Sequence, residues 1–461
     1  MKGNKAFYRM VLAVAVPILI QNGITNFVSL LDNIMVGRVG TEQMSGVAIV
    51  NQLMFVFNVS IFGAVSGAGI FGAQFWGSGR HEGVRHTFRF KWIATILLVI
   101  LAGLLFFFAG EKLILLYLHG EENALSLEAT LGYAKQYLSV MLWGLLPFGV
   151  NQVYASTLRE CGETKVPMLA GISAVLVNMC LNYLLIFGKF GFPALGVVGA
   201  AVATVISRYV EVAIVILWTH RNQAKHPYIQ GVYRSMHIPG SLVKKILIKG
   251  APLTLNEVMW SVGMAMLMQC YSMRGLDAVA GLNIASTISN VFNVVYLAMG
   301  SSVAIIIGQL LGAGKMEEAR ETNTRLLSFT VCICTAVGVV LGLVSPLFPL
   351  FYNTTDEVRG LAASLIRVVA LFMPMHAFIH ASYFTLRSGG RTVITFLFDS
   401  VFIWAFSLPV VFVLSRFSTL PIIPLYFTGQ FLEIVKCVIG FILVKKGVWI
   451  QNIVSEEKTV C

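Results

Sequence analysis

The sequence predicts an all-α integral membrane protein, with twelve transmembrane helices in two six-helix bundles related by a pseudo-two-fold axis along the membrane normal. Three observations predict it. The chain of 461 residues is 57% hydrophobic and only 12% charged, with a mean hydropathy of +0.81, so it carries more apolar side chain than a water-soluble core buries. Apolar runs of about 20 residues recur from end to end, the length an α-helix needs to cross about 30 Å of hydrocarbon. The second half of the chain also repeats the first.

The apolar runs place helices near 10–36, 44–76, 92–118, 131–157, 166–187, 195–218, 251–273, 278–311, 326–351, 361–386, 392–415 and 420–444. This divides the chain into an N-terminal bundle over 1–219, a linker over 220–250, and a C-terminal bundle with a short tail over 251–461. Lys2-Gly3-Asn4-Lys5 and the apolar run behind it have the look of a secretory signal, but the run continues to Asp32 and is long enough to be a retained first span. Within the linker, Leu242-Val243-Lys244-Lys245-Ile246-Leu247-Ile248-Lys249 mixes basic with apolar residues. That pattern fits a helix lying on an anionic inner leaflet as well as it fits a solvated connection.

A net charge of +12 and a pI near 9.4 would suggest nucleic acid in a soluble protein. Here the basic residues sit in alternate short connections: Lys2, Lys5 and Arg9; Arg80 to Lys91; Arg159 and Lys165; Arg221 to Lys249; Lys315 to Arg325; Arg387 and Arg391; Lys445 and Lys446. By the positive-inside rule these face the cytoplasm. The other connections, including His119-Gly120-Glu121-Glu122 and Asn353-Thr354-Thr355-Asp356-Glu357, face out. An even helix number then puts both termini in the cytoplasm of a multi-pass plasma-membrane protein. Of the seven cysteines, Cys180, Cys270, Cys332, Cys334 and Cys437 fall inside apolar spans and behave as small hydrophobes, so neither a disulfide framework nor a metal site is expected.

The repeat aligns Pro17 with Pro252, an offset of 252 − 17 = 235. At the same offset Val56-Phe57-Asn58-Val59 falls on Val291-Phe292-Asn293-Val294, Gln74 on Gln309, Gly77 on Gly312 and Arg85 on Arg320. Later the offset becomes 386 − 158 = 228 and pairs Leu158-Arg159 with Leu386-Arg387. Six spans per copy is even, so both copies enter the membrane in the same direction, an arrangement found in transporters.

Polar residues inside the spans narrow the chemistry. A carboxylate in hydrocarbon is costly and marks a functional position. At 100° per residue Gln21, Thr25 and Asp32 fall on nearly one line of the first helix, while Asn178 and Asn182 share a face of the fifth and Thr204 lies on the sixth. A rise of about 1.5 Å per residue sets Asp32, Asn178, Asn182 and Thr204 roughly 6 to 14 Å in from the outer ends. One carboxylate among neutral oxygens suits a proton or Na⁺, and Asn and Thr alone would read as an interhelical hydrogen-bond cluster. In the second half Glu257, His376 and Asp399 are the candidates for a substrate or second cation site, with a place near the inner interface the other reading of Asp399. Glu211, Glu433 and Lys436 read as local ion-pair partners, and His376 with His380 as packing.

Ala15-Val16-Pro17-Ile18, Asp32-Asn33-Ile34-Met35-Val36-Gly37-Arg38-Val39-Gly40, Leu158-Arg159 with Gly162-Glu163-Thr164, Asn178 to Asn182 with Phe187-Gly188-Lys189-Phe190-Gly191, and Gly196 to Thr204 together resemble the multidrug and toxic compound extrusion (MATE) family over nearly the whole chain. The resemblance implies export of organic cations or other amphipathic compounds by rocking of two bundles, in antiport with H⁺ or Na⁺. It places Asp32, Asn178, Asn182 and Thr204 at the coupling-cation site and Glu257 at the acid of the seventh helix. His376 stands where NorM-like members carry an aspartate, which weakens a second Na⁺ site because imidazole is a poor ligand for a hard cation. No cofactor beyond the coupling ion is implied, and no metal beyond Na⁺ at Asp32. The expected partners are a small organic cation and the bilayer, without nucleic acid, and the working unit is a monomer. A lipid-linked saccharide flippase of the same superfamily is the alternative, although its anionic cargo asks for a cationic cavity. An enzyme is not expected, since no nucleophile or metal-ligand constellation stands near either membrane face.

Overall fold

The computed structural model describes residues 5–37, 39–117, 124–352 and 354–455, and of these the side chains of 28–34, 37, 41, 117 and 124–126 lie outside the description. Among the described residues fourteen α-helical segments follow one another: α1 Lys5–Gly37, α2 Thr41–Gly77, α3 His81–Tyr117, α4 Ala124–Met141, α5 Leu145–Glu160, α6 Lys165–Phe187, α7 Val197–Arg221, α8 Gly240–Ser272, α9 Leu276–Gly312, α10 Met316–Val344, α11 Asp356–Ser388, α12 Thr392–Phe396, α13 Leu408–Phe417 and α14 Ile422–Lys445. No strand occurs among the described residues. Among the described residues eleven helices are long and apolar enough to cross a membrane, with α4 running into α5 and α12 into α13 as single long helices. α8, which is 33 residues long and carries Lys244, Lys245, Lys249 and Glu257, stands outside that set.

The sequence pattern and the structure differ mainly at helix ends. α3 begins at His81 and α10 at Met316, well before the apolar runs. Backbone hydrogen bonding continues a helix into the polar interface, whereas hydropathy reports only the part in oil. The stretch 242–249 is helical, the opening of α8, and runs unbroken into the rest of that helix. α10 stops at Val344, short of the expected 351. Pro346 and Pro349 follow, and the chain closes in a 3₁₀ turn over Phe348–Phe351. The helix expected over 392–415 is interrupted by two π-helical turns, Leu397–Val401 and Ile403–Ser407.

The chain forms two compact units. One comprises residues 1–19, 73–79 and 246–461, and the other 20–72 and 80–245. In the first, Phe7, Val11, Val14, Ala15 and Ile18 make one buried stripe along the start of α1, in a cluster with Ala298, Val303 and Ile307 of α9, Leu326 of α10 and Leu386 of α11. The end of α2 belongs here too. The buried Gln74 donates to the Ser388 and Gln451 carbonyls at 2.9 and 3.2 Å and accepts from the Ile453 amide at 2.9 Å. Repeat-related glycines make the α2–α9 crossing close. A Cβ on Gly77 would stand 2.0 Å from the Gln309 carbonyl oxygen, and one on Gly312 would stand 1.9 Å from that of Gln74.

In the second unit α6 and α7 are joined by a turn through Gly188 (φ +64°) and Gly196 (φ +55°), and Gly199 lets the α7 backbone approach that of Leu185. Arg89 on α3 donates to the carbonyls of Val232, His237 and Gly231 at 2.9, 3.1 and 3.3 Å, and Arg85 donates to that of Tyr228 at 3.1 Å. These bonds tie the segment after α7 back onto α3. Lys91 is wholly buried and donates to both oxygens of Glu160 at 2.7 Å, with Ser156 and Thr157 completing its ammonium shell.

Candidate cation and cargo site

In the unit of residues 20–72 and 80–245, the close α6–α7 packing brings together three of the four residues expected at the coupling site. Asn182 donates from Nδ2 to Asn178 Oδ1 at 3.0 Å, Asn178 donates to Thr204 Oγ1 at 3.3 Å, and Thr204 donates to the Ala200 carbonyl at 3.0 Å. Asn178 and Asn182 are buried and Thr204 is half-buried. The fourth, Asp32, lies on the described backbone of α1, but its side chain is outside the described residues. Earlier on the same stripe, Gln21 packs against Gly171 of α6 and accepts from Arg159 Nη2 at 2.9 Å. α1 therefore meets the helix that carries both asparagines. A string of amide and hydroxyl oxygens in a buried setting can accept a small cation or relay a proton.

In the unit of residues 246–461, Glu257 and Asp399 enter one polar network with Asn256 at its centre, and His376 bears on it only electrostatically. Asn256 donates to Asp399 Oδ2 at 3.0 Å and to the Tyr383 hydroxyl at 3.3 Å, while its own Oδ1 accepts from Ser400 Oγ at 2.7 Å. Tyr383 in turn hydrogen-bonds Glu257 and Arg387. On its other side Asp399 accepts from Lys436 at 2.7 Å, and that ammonium also pairs with Glu433 at 3.3 Å. His376 Nε2 meets Gln430 Oε1 at 2.7 Å, with Glu433 and Lys436 acting on the ring electrostatically. His380, one turn on, packs on Tyr296 with ring centroids 4.7 Å apart. Glu433 and Lys436 are thus ion-pair partners as their sequence suggested, and Lys436 also pairs with Asp399, a residue of the candidate site.

Sequence reasoning missed Asn256, Tyr383, Gln430 and Ser407, the last of which donates to Glu433 at 3.2 Å. A signal for part of this was present: Gln430, Glu433 and Lys436 stand at i, i+3 and i+6 on α14, and Tyr383 and Arg387 at i, i+4 on α11. In the other unit Arg208 is a further cation, half-buried. It donates to the Gly144 carbonyl at 3.2 Å and lies 5.1 Å from the centroid of Phe148, and Glu211 nearby bonds Asn151.

Comparison with known proteins matches the MatE family model to residues 17–184 and 252–415 of this chain, once in each repeat. A probable multidrug resistance protein NorM of Thermotoga maritima is 26% identical over 97% of this chain and 94% of its own length. Multidrug resistance protein MdtK of Photorhabdus laumondii is 26% identical over 88% of this chain and 87% of its own. Among solved structures, the outward-facing conformation of a multidrug resistance MATE family transporter superposes with a TM-score of 0.86 at 19% identity, covering 97% of this chain and 98% of that one. A MATE structure in the straight conformation gives 0.84 at 20% identity, covering 95% of each. At these identities the structures speak for the fold.

Proposed function

The chain belongs to the MatE family of membrane transporters, and from that premise we propose that it exports organic cations, drugs or other amphipathic compounds across the plasma membrane in antiport with H⁺ or Na⁺. The relatives bear multidrug resistance names, and the polar chemistry supports extending that role here. The observation that carries the reading is the buried string Asn182–Asn178–Thr204 on α6 and α7, with α1 lying against α6 at Gly171. Asp32 supplies the ionisable oxygen of that site. It takes up the coupling cation from outside, the surrounding helices rearrange, and affinity for cargo falls. Coupling of this kind is reciprocal, so bound cargo also weakens the hold on the cation. Access alternates by rocking of the two six-helix bundles, with both termini in the cytoplasm and one chain sufficient for transport.

The flippase alternative asks for uncommitted cations to hold an anionic diphosphate. Lys436 is engaged by Asp399 and Glu433, Lys91 by Glu160, and Arg208 by Gly144, which favours cationic cargo. The test is transport by the purified chain in liposomes, with pH and Na⁺ gradients imposed separately. Asp32→Asn abolishes gradient-driven efflux while the protein remains folded and membrane-inserted. Full retained efflux in that variant would overturn the assignment.

A further inference from the structure

We propose that Lys436 is a tethered rival of the transported cation: its ammonium occupies a seat formed by Asp399 and Glu433, and a monovalent organic cation binds there by displacing it. The inference rests on the export reading above and adds a residue that sets affinity.

The seat already has the composition of an organic-cation site. Two carboxylate oxygens contact the ammonium at 2.7 and 3.3 Å. Two aromatic rings, Phe398 and Phe402, have their centroids 5.8 Å from Nζ, within the range at which ring quadrupoles attract a cation. The lysine side chain is only 4% exposed, while Asp399 and Glu433 keep 17% and 16% of theirs open. Each acid therefore presents an edge that the lysine does not cover. The first π-helical turn, Leu397–Val401, holds Asp399, and the second ends at Ser407, the hydroxyl that bonds Glu433. Single wide turns of this kind are concentrated at functional positions.

Charge conservation makes an exchange workable. Among the described residues the network holds three carboxylates, Glu257, Asp399 and Glu433, against two cationic side chains, Arg387 and Lys436. If Lys436 left with nothing in its place, Asp399 and Glu433 would keep the Asn256 and Ser407 hydrogen bonds but no counter-charge in a low-dielectric interior, at severe cost. A singly charged cargo replaces it one for one. Lysine suits the part, because its ammonium is a compact charge on a flexible four-carbon stem that can swing aside. Arg387, which shares Tyr383 and stacks 5.5 Å from the Phe384 centroid, is the more fixed of the two.

The experiment measures tetraphenylphosphonium binding to the purified full-length chain in lipid nanodiscs, by competition against fluorescent ethidium. Lys436→Met removes the rival charge and tightens binding by roughly tenfold or more, tenfold being about 1.4 kcal/mol. Lys436→Arg holds both carboxylates with a guanidinium fork and weakens binding severalfold. A folded Lys436→Met protein with unchanged or weaker affinity overturns the proposal. Should that variant fail to fold, Lys436→Arg decides alone, and unchanged or tighter binding there overturns it equally. Wild-type protein that neither binds nor exports the probe refutes the export reading itself, whereas wild-type export with the wrong order of affinities refutes only the role of Lys436.

Discussion

A lysine with no exposed surface survives only because every one of its donors is used. Lys91 spends them on Glu160, Ser156 and Thr157, and the carboxylate can lie against α2 because Gly69 and Gly72 leave room. Side chains at those positions would put a Cβ 2.5 and 2.3 Å from the Glu160 oxygens. Removing one partner of such a pair strands the other charge, so Lys91→Met lowers stability by about 3 to 5 kcal/mol. The double variant Lys91→Met with Glu160→Leu recovers part of that loss, which thermal unfolding in detergent will read. This pair was invisible in the sequence, since Lys91 looked like one more basic residue at a membrane edge and its partner lies 69 positions on. Asn178, Asn182 and Thr204 were legible because they break apolar runs at helical spacing. Tyr383 and Gln430 were not, because an aromatic or an amide in a span usually reads as packing.

At the scale of the helix, the repeat offset found in the sequence predicted that Gly77 and Gly312 are equivalent, and the structure shows what the equivalence is for. Each glycine receives the backbone of the other's helix, so the α2–α9 crossing is a contact between backbones. Gly77→Ala and Gly312→Ala each force the helices apart and lower the melting temperature, while Gly103→Ala on α3, where nothing lies within 4 Å of the added carbon, leaves it unchanged or raises it, the helix preference for Ala over Gly being worth up to about 1 kcal/mol. Equal effects at all three positions would contradict this account. Helix identity was readable throughout. The lengths were not, because the interface continues helices that hydropathy ends, and the π turns around Asp399 left no mark in the apolar pattern.

For the whole molecule, the distribution of Lys and Arg makes an outcome measurable: a fluorescent protein fused after residue 461 lights up in the cytoplasm and a periplasmic phosphatase fused there stays inactive, with the converse pattern excluding the proposed orientation. The doubling of the chain was legible from offsets alone. The composition of the two units was not, since the stripe from Phe7 to Ile18 and the bonds of Gln74 draw early residues into a unit made chiefly of late ones. That arrangement bears on biosynthesis. Ile18 leaves the ribosome 298 − 18 = 280 residues ahead of Ala298 in its own cluster, a delay of roughly 15 to 55 s at ordinary translation speeds. A greasy surface idle for that long would invite aggregation in water. In lipid it is merely solvated, so the first helix threaded into the bilayer can wait there until its neighbours have been translated.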